Sequence, residues 1–558
     1  MPAARRAPLL LLGLALAGSA VLLLLLDRNL TFFQDSWAFL MHRQGNALDD
    51  FLKPHNEHIV VIPVALQKLL LAIFGMSSSM PEFVLLTVTL LITAVLLFVY
   101  VRRRLGDWVA LFAAVLVLFL GPAAQVLLWP FEIALVGSTM TGLAMLLALE
   151  REDRVGDLLA CLMLVLAIGF SSLGLAFAVG AGVDVLQRRR TLGLRRLYVP
   201  AVPLVLYAAW YLGWGHEAES SFSLGNVVHS PVFLIEGLGA SLAALTGLSA
   251  LTDSVDKRPW AGMALLAILG ALLIWWLWTR RPGISDRFWP VAATAATFWL
   301  LGGFNRGAGR EAEASRYMHI GAILLLMMAA DLLAGSRLRG KRAAQAVLVG
   351  AALVIAISAL NLKPLDDGYD SFRDETVLTR ADLGAMQIAE RTIPPTFSLT
   401  EEIAGTPSLI DVNATEYFPA EEDHGSPAYT PEELASAPAA GRKQADIVLA
   451  QALPLSTAVA EDAALPPAIL PGCERAGAAV EEVRLRPGLT QIGVPPGPEA
   501  NFSLRRFATG EFPVVTAGAP GDSVTTLKIP RDTAPQPWHL HVDAPQGAFV
   551  CRARSTGA

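Results

Sequence analysis

The chain has 558 residues, of which 54% are hydrophobic and 16% charged, and its formal net charge is −6. Its mean hydropathy of +0.50 averages two unlike regions. Apolar runs with short polar loops extend to about Leu360, and a region rich in Pro, Ala, Gly and acidic residues begins at Asn361. This division excludes a wholly water-soluble protein, and the charge gives no reason to expect a nucleic-acid partner.

The first apolar run, Leu9–Leu26, follows Arg5 and Arg6 and approaches the roughly 20 residues that cross a hydrocarbon core. It resembles a secretory signal, but it continues through Val21–Leu26, past the small residues at which a signal is cleaved. We therefore predict an uncleaved anchor whose N-terminus is cytoplasmic.

Arginine-rich loops set the orientation of the later runs, because basic loops stay in the cytoplasm. The basic clusters are Arg102–Arg104, Arg151 with Arg154, Arg188–Arg196, Arg280–Arg287 and Arg337–Arg342. Placing all five inside predicts about eleven spans, near residues 9–26, 83–101, 108–128, 133–149, 158–170, 173–186, 197–214, 261–278, 288–303, 317–334 and 343–360. Because eleven is odd, we predict a multi-pass cell-membrane protein whose C-terminal region is extracytoplasmic.

Two further apolar stretches do not cross under this arrangement. Ile59–Phe74 contains Gln67 and Lys68, and Phe233–Leu251 contains Glu236. We predict that both lie at the outer interface or re-enter the bilayer from that side.

The predicted outer loops collect polar residues from distant parts of the sequence. They are Asp35, the group His55-Asn56-Glu57-His58, Glu132 in a very short turn, and Arg306, Arg310, Arg316 and Tyr317 in a late loop. Helix capping and solvation also explain a single acid or a histidine pair in a loop, and interfacial anchoring also explains an Arg-Tyr pair. The predicted spans carry almost no charge at mid-depth, which disfavours a transporter and favours chemistry at the outer interface.

The region after the last predicted span is expected to fold outside the membrane in two parts. Residues 361–470 have a mixed helical and loop pattern, which begins with a helix at Arg373–Arg391. Residues 471–558 contain short alternating runs separated by Pro-Gly turns, a pattern typical of a small β-sandwich. The predicted fold class is thus a membrane α-helical bundle followed by a soluble α+β, β-sandwich-like domain.

Cys473 and Cys551 bracket the β-rich part and can form a disulfide if it faces an oxidising compartment. Trp538, in one of the alternating runs, fits either the core of this part or a platform on which a sugar ring stacks. The sequence leaves both alternatives open.

The outer-loop residues resemble a known group of enzymes. An acid in the first outer loop (Asp35), a polar loop followed by interfacial helices, an acid in the next outer turn (Glu132), a late Arg316 and an extracytoplasmic C-terminal domain are similar to the GT-C superfamily. Its members are multi-span glycosyltransferases that use polyprenyl-phosphate sugars, and the segments here look like a bacterial branch of it. Many members carry adjacent acids in the first loop, whereas here Gln34 precedes Asp35.

The resemblance implies that Asp35 is the general base, which takes a proton from an acceptor as it attacks the anomeric carbon of the sugar. It also implies that Arg316, with Arg306 or Arg310, stabilises the departing polyprenyl phosphate. The expected partners are membrane lipid, a polyprenyl-phosphate-linked sugar and an acceptor in the cell envelope.

A second set of residues is expected to hold the substrates. Glu132, predicted with Asp35 as a catalytic residue, would bind the acceptor or a divalent cation together with His55 or His58. The predicted substrate-binding residues are His55, Asn56, Glu57, His58, Arg306, Arg310, Arg316 and Tyr317.

Two other functions remain open at this point. The first is a non-enzymatic scaffold or assembly subunit that presents its C-terminal domain. The second is a transporter of lipid-linked sugars. The enzyme requires Asp35, Glu132 and Arg316 to line one cavity near the outer interface, whereas a scaffold permits them to lie apart.

Overall fold

The computed structural model describes residues 6–218, 221–251, 260–280, 284–307, 310–335, 340–399, 412–452, 455–459, 473–476, 481–509, 515–519, 523–532 and 534–552. Contacts between residues divide the chain into two units. The first unit comprises Met1–Leu30, Gly45–Ile73 and Met80–Phe372, and the second comprises Thr31–Gln44, Phe74–Ser79 and Arg373–Ala558. Two short segments of the predicted first outer loop therefore fold with the C-terminal region.

The first unit is helical, and its apolar runs form helices that satisfy their backbone hydrogen bonds internally. Its main helices are Ala7–Asp27, Val61–Phe74, Met80–Leu105, Asp107–Leu118, Ile133–Leu149, Arg154–Phe170, Gly174–Gln187, Tyr198–Gly213, Leu224–Thr246, Trp260–Arg280, Phe288–Phe304, Ser315–Leu332 and Lys341–Ala389. Shorter helical turns lie at Leu48–Leu52, Gly121–Ala123, Ala124–Leu128, Pro130–Glu132, Arg189–Leu192, Leu194–Leu197, Gly215–Glu217 and Leu248–Ala250. Small residues let the helices approach closely: a Cβ atom on Gly142 would lie 2.5 Å from the ring of Phe177.

Seven described helices are long and apolar enough to cross a membrane, or eight if the bent pair Asp107–Leu118 and Gly121–Leu128 is one span. The mostly helical fold with a strand-containing C-terminal region is confirmed, but the predicted count of about eleven spans is not. Four predicted spans are helices of only 14 to 17 residues. They are Arg154–Phe170, Gly174–Gln187, Tyr198–Gly213 and Phe288–Phe304. Turns end these helices short of the roughly 20 residues that cross hydrocarbon without tilt or thinning.

The stretch Phe233–Leu251, predicted not to cross, belongs to a longer helix than expected. Leu224–Thr246 has 23 residues and is long and apolar enough to be a candidate span. The helix starts nine residues earlier than the apolar stretch because the Ser223 side chain caps it, accepting a hydrogen bond from the backbone N–H of Asn226.

The contacts of Leu224–Thr246 show where its two ends lie. Near the start, Nδ2 of Asn226 donates to the backbone oxygens of Phe304, at 3.3 Å, and Arg306, at 3.0 Å. Near the end, the backbone oxygen of Ala244 accepts from Nδ2 of Asn361 at 3.2 Å.

Ion pairs join the helix ends at one end of the first unit, here called the arginine-rich end. It is defined by Arg104, Glu150, Asp157, Asp184, Arg188, Arg196, Arg287 and Asp331. Arg104 pairs with Asp331 and lies 2.7 Å from Glu150, and Arg287 lies 3.5 Å from the same Glu150. Four of the five predicted cytoplasmic clusters or their loops thus meet at this end. The fifth, Arg337–Arg342, lies partly outside the described residues.

The helix Lys341–Ala389 continues through the predicted domain boundary at Leu360. Pro364 lies inside it without ending it, although proline removes one backbone donor. The helix predicted separately at Arg373–Arg391 is its last part. The change of composition after Leu360 therefore marks where the helix stops being apolar, and the boundary between the two units falls later, after Phe372.

The second unit contains further helices and a hydrogen-bonded link to its sheets. Its other helices are Asp35–His42, Ala414–His424, Pro431–Ser436 and Ala439–Gln451. The buried carboxylate of Asp446 accepts the backbone N–H groups of Arg506, Phe507 and Ala508 at 2.9 Å. These bonds attach the helix Ala439–Gln451 to the segment that follows the strand Ala500–Arg505.

The strands form a small ladder and two antiparallel sheets. The strands are β1 Ser398–Leu399, β2 Val412–Asn413, β3 Leu455–Val459, β4 Cys473–Ala476, β5 Glu481–Leu485, β6 Gly488–Val494, β7 Ala500–Arg505, β8 Val515–Ala519, β9 Ser523–Ile529, β10 Trp538–Asp543 and β11 Ala548–Arg552. β1 pairs with β2, and the two sheets have the orders β5-β10-β7-β8 and β3-β9-β6-β11-β4. Because β3 belongs to the second sheet, the β-rich part begins at Leu455, earlier than the predicted residue 471.

Alternate residues of β10 are buried, as the alternating run predicts. In β10, Trp538, Leu540 and Val542 are buried, and Trp538 is only 3% exposed. Trp538 is therefore a core residue, and the alternative of a sugar platform is wrong. Cys473 and Cys551 face each other on β4 and β11 and form a disulfide.

Candidate functional site

A cavity of about 270 Å³ lies within the first unit, at the end opposite the ion pairs. Four helices contribute one end to the cavity and the other end to the arginine-rich end. Their cavity residues are Leu135, Leu175, Gly302 and Tyr317, and their counterparts at the other end are Glu150, Asp184, Arg287 and Asp331. We call this the cavity end. Its walls are largely apolar, with a small set of polar groups, as is usual for ligand sites.

A tight turn presents two polar side chains to this cavity. His55 and His58 exchange backbone hydrogen bonds of 3.0 and 2.9 Å, and Asn56 has φ of 50°, a conformation that Asn adopts more readily than most residues. The hydroxyl of Ser172 receives the backbone N–H of Ile59 at 3.3 Å. The turn is thus fixed beside the short loop between two helices, and Glu57 and His58 line the cavity.

The main charged pair of the cavity joins Glu57 to Arg310, which are far apart in sequence. Nη1 of Arg310 lies 2.8 Å from both carboxylate oxygens of Glu57. The two side chains are 18% and 22% exposed, so the pair is only partly removed from solvent. A carboxylate and a guanidinium that face one cavity can bind a hydroxyl and an anion respectively.

His58 extends the polar group of the cavity. Its Nε2 lies 3.6 Å from Oε1 of Glu57. Although 38% of its side chain is accessible, the surrounding protein desolvates the ring, and this burial lowers the pKa of His58 below its usual value. Glu57 opposes this effect, whereas Arg310 adds to it. The imidazole is therefore neutral near pH 7, and it can both donate and accept a hydrogen bond.

The other predicted residues of the late loop are placed differently from one another. Tyr317 lines the cavity, and the Arg316 guanidinium lies 5.4 Å from its ring centre. Arg316 is also close enough to His58 to lower its pKa. Arg306 is exposed and is not among the described residues that line the cavity.

Two of the predicted residues, one acid and one histidine, lie beside Phe131. Glu132 is buried, 2% exposed, at the end of the turn Pro130–Glu132, and it is not among the described lining residues. The ring of His55 packs edge-on against Phe131, with centroids 5.2 Å apart. The structure thus brings Glu57, His58, Arg310 and Tyr317 into one cavity. Neither Glu132 nor Arg316 is among the described residues that line it, so the arrangement that the sequence reasoning required of the enzyme is not found at this cavity.

Asp35, the predicted general base, belongs to the second unit. It begins the helix Asp35–His42, directly after Gln34, whose φ of 41° is unusual for a residue other than glycine. This helix packs on Ala414–His424, where Nε2 of Gln44 donates to the backbone oxygen of Glu416 at 3.0 Å.

The residues do not support the predicted divalent cation. Among the described residues there is no group of three or more His, Cys, Asp or Glu side chains that could hold a metal ion. Glu132 with His55 or His58 therefore does not make up a ligand set, and we derive no step through a metal.

Sequence reasoning missed several contributors to this end of the unit. Tyr207, Tyr211 and His216 line the cavity, and only the predicted sidedness of their helix and loop could have found them. It also missed Asp27, which is 1% exposed and whose carboxylate oxygens have no hydrogen-bond partner among the described residues. The signal for Asp27 is an acid placed directly at the end of the first apolar run.

Comparisons with known proteins leave the function to the geometry of the site. No protein-family model matches the chain, and a search of curated proteins found no match.

Proposed function

We propose that the protein is a membrane glycosyltransferase of the GT-C kind, which transfers a sugar from a polyprenyl phosphate to an acceptor at the extracytoplasmic face. The observation that carries the proposal is the cavity at the helix ends opposite the ion pairs, where Glu57, His58 and Arg310 meet. A partly apolar cavity with one guanidinium suits the phosphate and the first sugar of a lipid-linked donor.

The orientation follows from the arginine-rich end, which we propose is cytoplasmic. Basic loops are retained in the cytoplasm, and the ion pairs bring four such loops together at this end. The cavity end is then extracytoplasmic. The disulfide Cys473–Cys551 supports the same side for the C-terminal region, because disulfides persist in oxidising compartments.

The helix Leu224–Thr246 fits this orientation without crossing the membrane. Its first turn bonds to Phe304, at the cavity end of its helix. Its last turn bonds to Asn361, which lies against Gly121. The helix Asp107–Leu118 starts at the ion pair of Asp107 with Arg102, and Gly121 follows its opposite end. Both ends thus contact segments on the extracytoplasmic side, which favours a helix that lies on that side.

The cavity wall that the helices Tyr198–Gly213 and Phe288–Phe304 form supports an amphiphilic donor. Tyr211 and Leu301 line the cavity and are 50% and 36% exposed. The neighbouring Leu212 is 79% exposed, so the helix Tyr198–Gly213 carries apolar surface beside the cavity. A polyprenyl chain would lie along this surface while its head group enters the cavity.

In the proposed reaction the acceptor hydroxyl attacks the anomeric carbon, and the bond from that carbon to the phosphate oxygen breaks. The acceptor proton passes to a carboxylate, for which Asp35 remains the candidate on the sequence argument. Arg310 stabilises the charge that develops on the departing polyprenyl phosphate. His58 and Tyr317 offer hydrogen bonds that orient the sugar.

The test is sugar transfer by the purified protein in nanodiscs, with a panel of radiolabelled polyprenyl-phosphate sugars. We expect Arg310→Gln to lower the transfer rate about 10²–10³-fold and Asp35→Asn to lower it about 10²–10⁴-fold. Arg189→Gln, at an exposed arginine next to Arg188 in the chain, is the matched control and should retain wild-type transfer.

Transfer that is equal in wild type, Arg310→Gln and Asp35→Asn would overturn the proposed roles of both residues. Absence of transfer from every donor of the panel would overturn the proposed activity.

A further inference from the structure

We propose that Glu57 is a built-in competitor for the anion site of the cavity: it occupies Arg310 until the anionic head group of an amphiphile displaces it. The inference rests on the proposed function in one respect, because that function supplies an amphiphile with a phosphate head group. It adds that the affinity of the site for the anion is set by an acid of the chain itself.

The contact geometry shows that Arg310 is already engaged. Nη1 of Arg310 donates to Oε1 of Glu57 at 2.8 Å and lies 2.8 Å from Oε2, so the carboxylate occupies this nitrogen of the guanidinium. An incoming phosphate that binds Nη1 must therefore replace Glu57 there.

The surroundings of the pair make such an exchange possible. Glu57 lies on a short turn with His58, and Arg310 lies in the loop before the helix Ser315–Leu332. Both side chains are about one fifth exposed and border open cavity volume. Because the pair borders open cavity volume, a ligand that offers a second negative charge and more oxygens can reach the guanidinium and compete with the carboxylate for it.

The displaced carboxylate has a place to go within the cavity. Nε2 of His58 already lies 3.6 Å from Oε1 of Glu57. The neutral imidazole carries one N–H group, which can donate a hydrogen bond to the released carboxylate. The exchange thus adds the negative charge of the ligand to the site and leaves Glu57 beside the bound head group.

The consequence is a pair of substitutions with effects of opposite sign. Removing the charge of Glu57 frees Arg310, so Glu57→Gln should bind the anion more tightly than wild type. Removing Arg310 eliminates the site, so Arg310→Gln should bind it more weakly. A residue that merely stabilised the fold would weaken binding when substituted.

The experiment measures binding of dodecyl phosphate by calorimetry, with the full chain in nanodiscs of zwitterionic lipid. We expect Glu57→Gln to lower the dissociation constant up to about fivefold, and Arg310→Gln to raise it at least about tenfold. Glu57→Asp, which keeps the charge but shortens the reach to Arg310, should tighten binding by a smaller factor. Arg189→Gln is the matched control and should bind as wild type.

Two further ligands identify the source of the anion. Inorganic phosphate tests the head group alone, and dodecanol tests the chain alone. Dodecyl phosphate should bind more tightly than either, and Glu57→Gln should leave dodecanol binding unchanged. Equal affinity for dodecyl phosphate and inorganic phosphate would contradict an amphiphilic ligand.

Several outcomes overturn the competitor role. Dodecyl phosphate affinity that is unchanged or weaker in Glu57→Gln would do so, as would failure of wild type and Glu57→Gln to bind at all. If Glu57→Gln does not fold, as judged by thermal unfolding, the comparison of Glu57→Asp with wild type decides in the same way.

Sugar transfer measured on the same samples separates this inference from the proposed function. Opposite effects on dodecyl phosphate binding without any sugar transfer would support the competitor and refute the glycosyltransferase. Transfer that depends on Arg310, without tighter binding in Glu57→Gln, would support the enzyme and refute the competitor.

Discussion

The arginine-rich end and the cavity end of the first unit use the same chemistry in two settings. At the arginine-rich end, Arg196 is 1% exposed and lies 2.7 Å from Asp157 and 3.5 Å from Asp184. At the cavity end, Arg310 is 22% exposed and faces Glu57 across open volume. The difference teaches that burial decides the use of a charged pair: a fully enclosed pair holds helices together, whereas one beside a cavity is free to exchange partners.

The largest effect that this comparison predicts is the loss of Arg196. In Arg196→Gln, the carboxylates of Asp157 and Asp184 remain buried without the guanidinium between them. Removing one partner of a buried ion pair costs about 3–5 kcal/mol of folding free energy. Thermal unfolding of the purified protein in detergent should show a marked loss of stability or a failure to fold.

The control is Arg189→Gln in the same loop, because Arg189 is exposed. It should unfold at the wild-type temperature. Equal stability of the Arg196 and Arg189 variants would remove the structural role assigned to the arginine-rich end.

Asp331 provides a second test of the arginine-rich end, with a smaller expected effect on stability. Its carboxylate accepts from the hydroxyl of Tyr100 at 2.7 Å and pairs with Arg104. Asp331→Asn keeps the shape but loses the charge, while Arg104 retains Glu150 at 2.7 Å. We expect a loss of about 1.5–3 kcal/mol, the usual contribution of hydrogen bonds to a charged group.

The measurement is again thermal unfolding, and Asp153→Asn is the control. Asp153 pairs with Arg151, but its side chain is 49% exposed. A stability loss in Asp153→Asn as large as that in Asp331→Asn would show that burial does not distinguish these pairs.

The sequence predicts these two ends only as sets of residues. The positive-inside rule groups Arg104, Arg188 and Arg196 on one side, and Glu57 and Arg310 on the other, because sidedness depends on loop composition alone. It does not predict that Glu57 pairs with Arg310, since that contact depends on how distant helices pack. For the same reason the buried Asp27 and the lining Tyr211 were missed.

The fold shows the same limit at Leu360 and Leu224. Hydropathy correctly locates where the chain becomes polar after Leu360, but backbone hydrogen bonding carries the helix on to Ala389. Likewise, the Ser223 cap starts the helix upstream of the apolar stretch from which its length was judged. Composition thus predicts the environment of a segment, and capping and packing determine where it begins and ends.

Arg310→Gln sharpens the comparison from the side of the cavity. The Glu57 carboxylate that is left borders the cavity, so the loss of unfolding free energy should be smaller than the loss of about 3–5 kcal/mol expected for a fully buried pair. Thermal unfolding should therefore change less than in Arg196→Gln, in the same sample that has lost dodecyl phosphate binding. A stability loss comparable to that of Arg196→Gln would place Arg310 with the structural pairs instead.

Glu421 in the second unit provides the smallest test and a third setting, that of a partly buried acid beside another acid. Burial raises the pKa of Glu421 to about 7, and the nearby Glu390 adds to this effect. The folded state therefore keeps a proton on Glu421 that the unfolded state, with a pKa near 4.5, has lost. Stability contributed by this group is fully present below about pH 4.5 and declines as the pH rises through about 7.

Hydrogen exchange of the helix Ala414–His424, expressed as protection factors at several pH values, measures this decline. Glu421→Gln cannot ionise and can still receive the hydrogen bond that Nε2 of Gln387 gives to Oε1 of Glu421 at 2.6 Å. Its protection should therefore change less between pH 5 and 8 than that of wild type. Glu422→Gln is the control, because Glu422 is exposed on the same helix and should leave the wild-type profile intact. Parallel profiles for wild type and Glu421→Gln would show that the carboxyl of Glu421 ionises freely, and that an acid without a counter-ion is tolerated at this position because solvent reaches it.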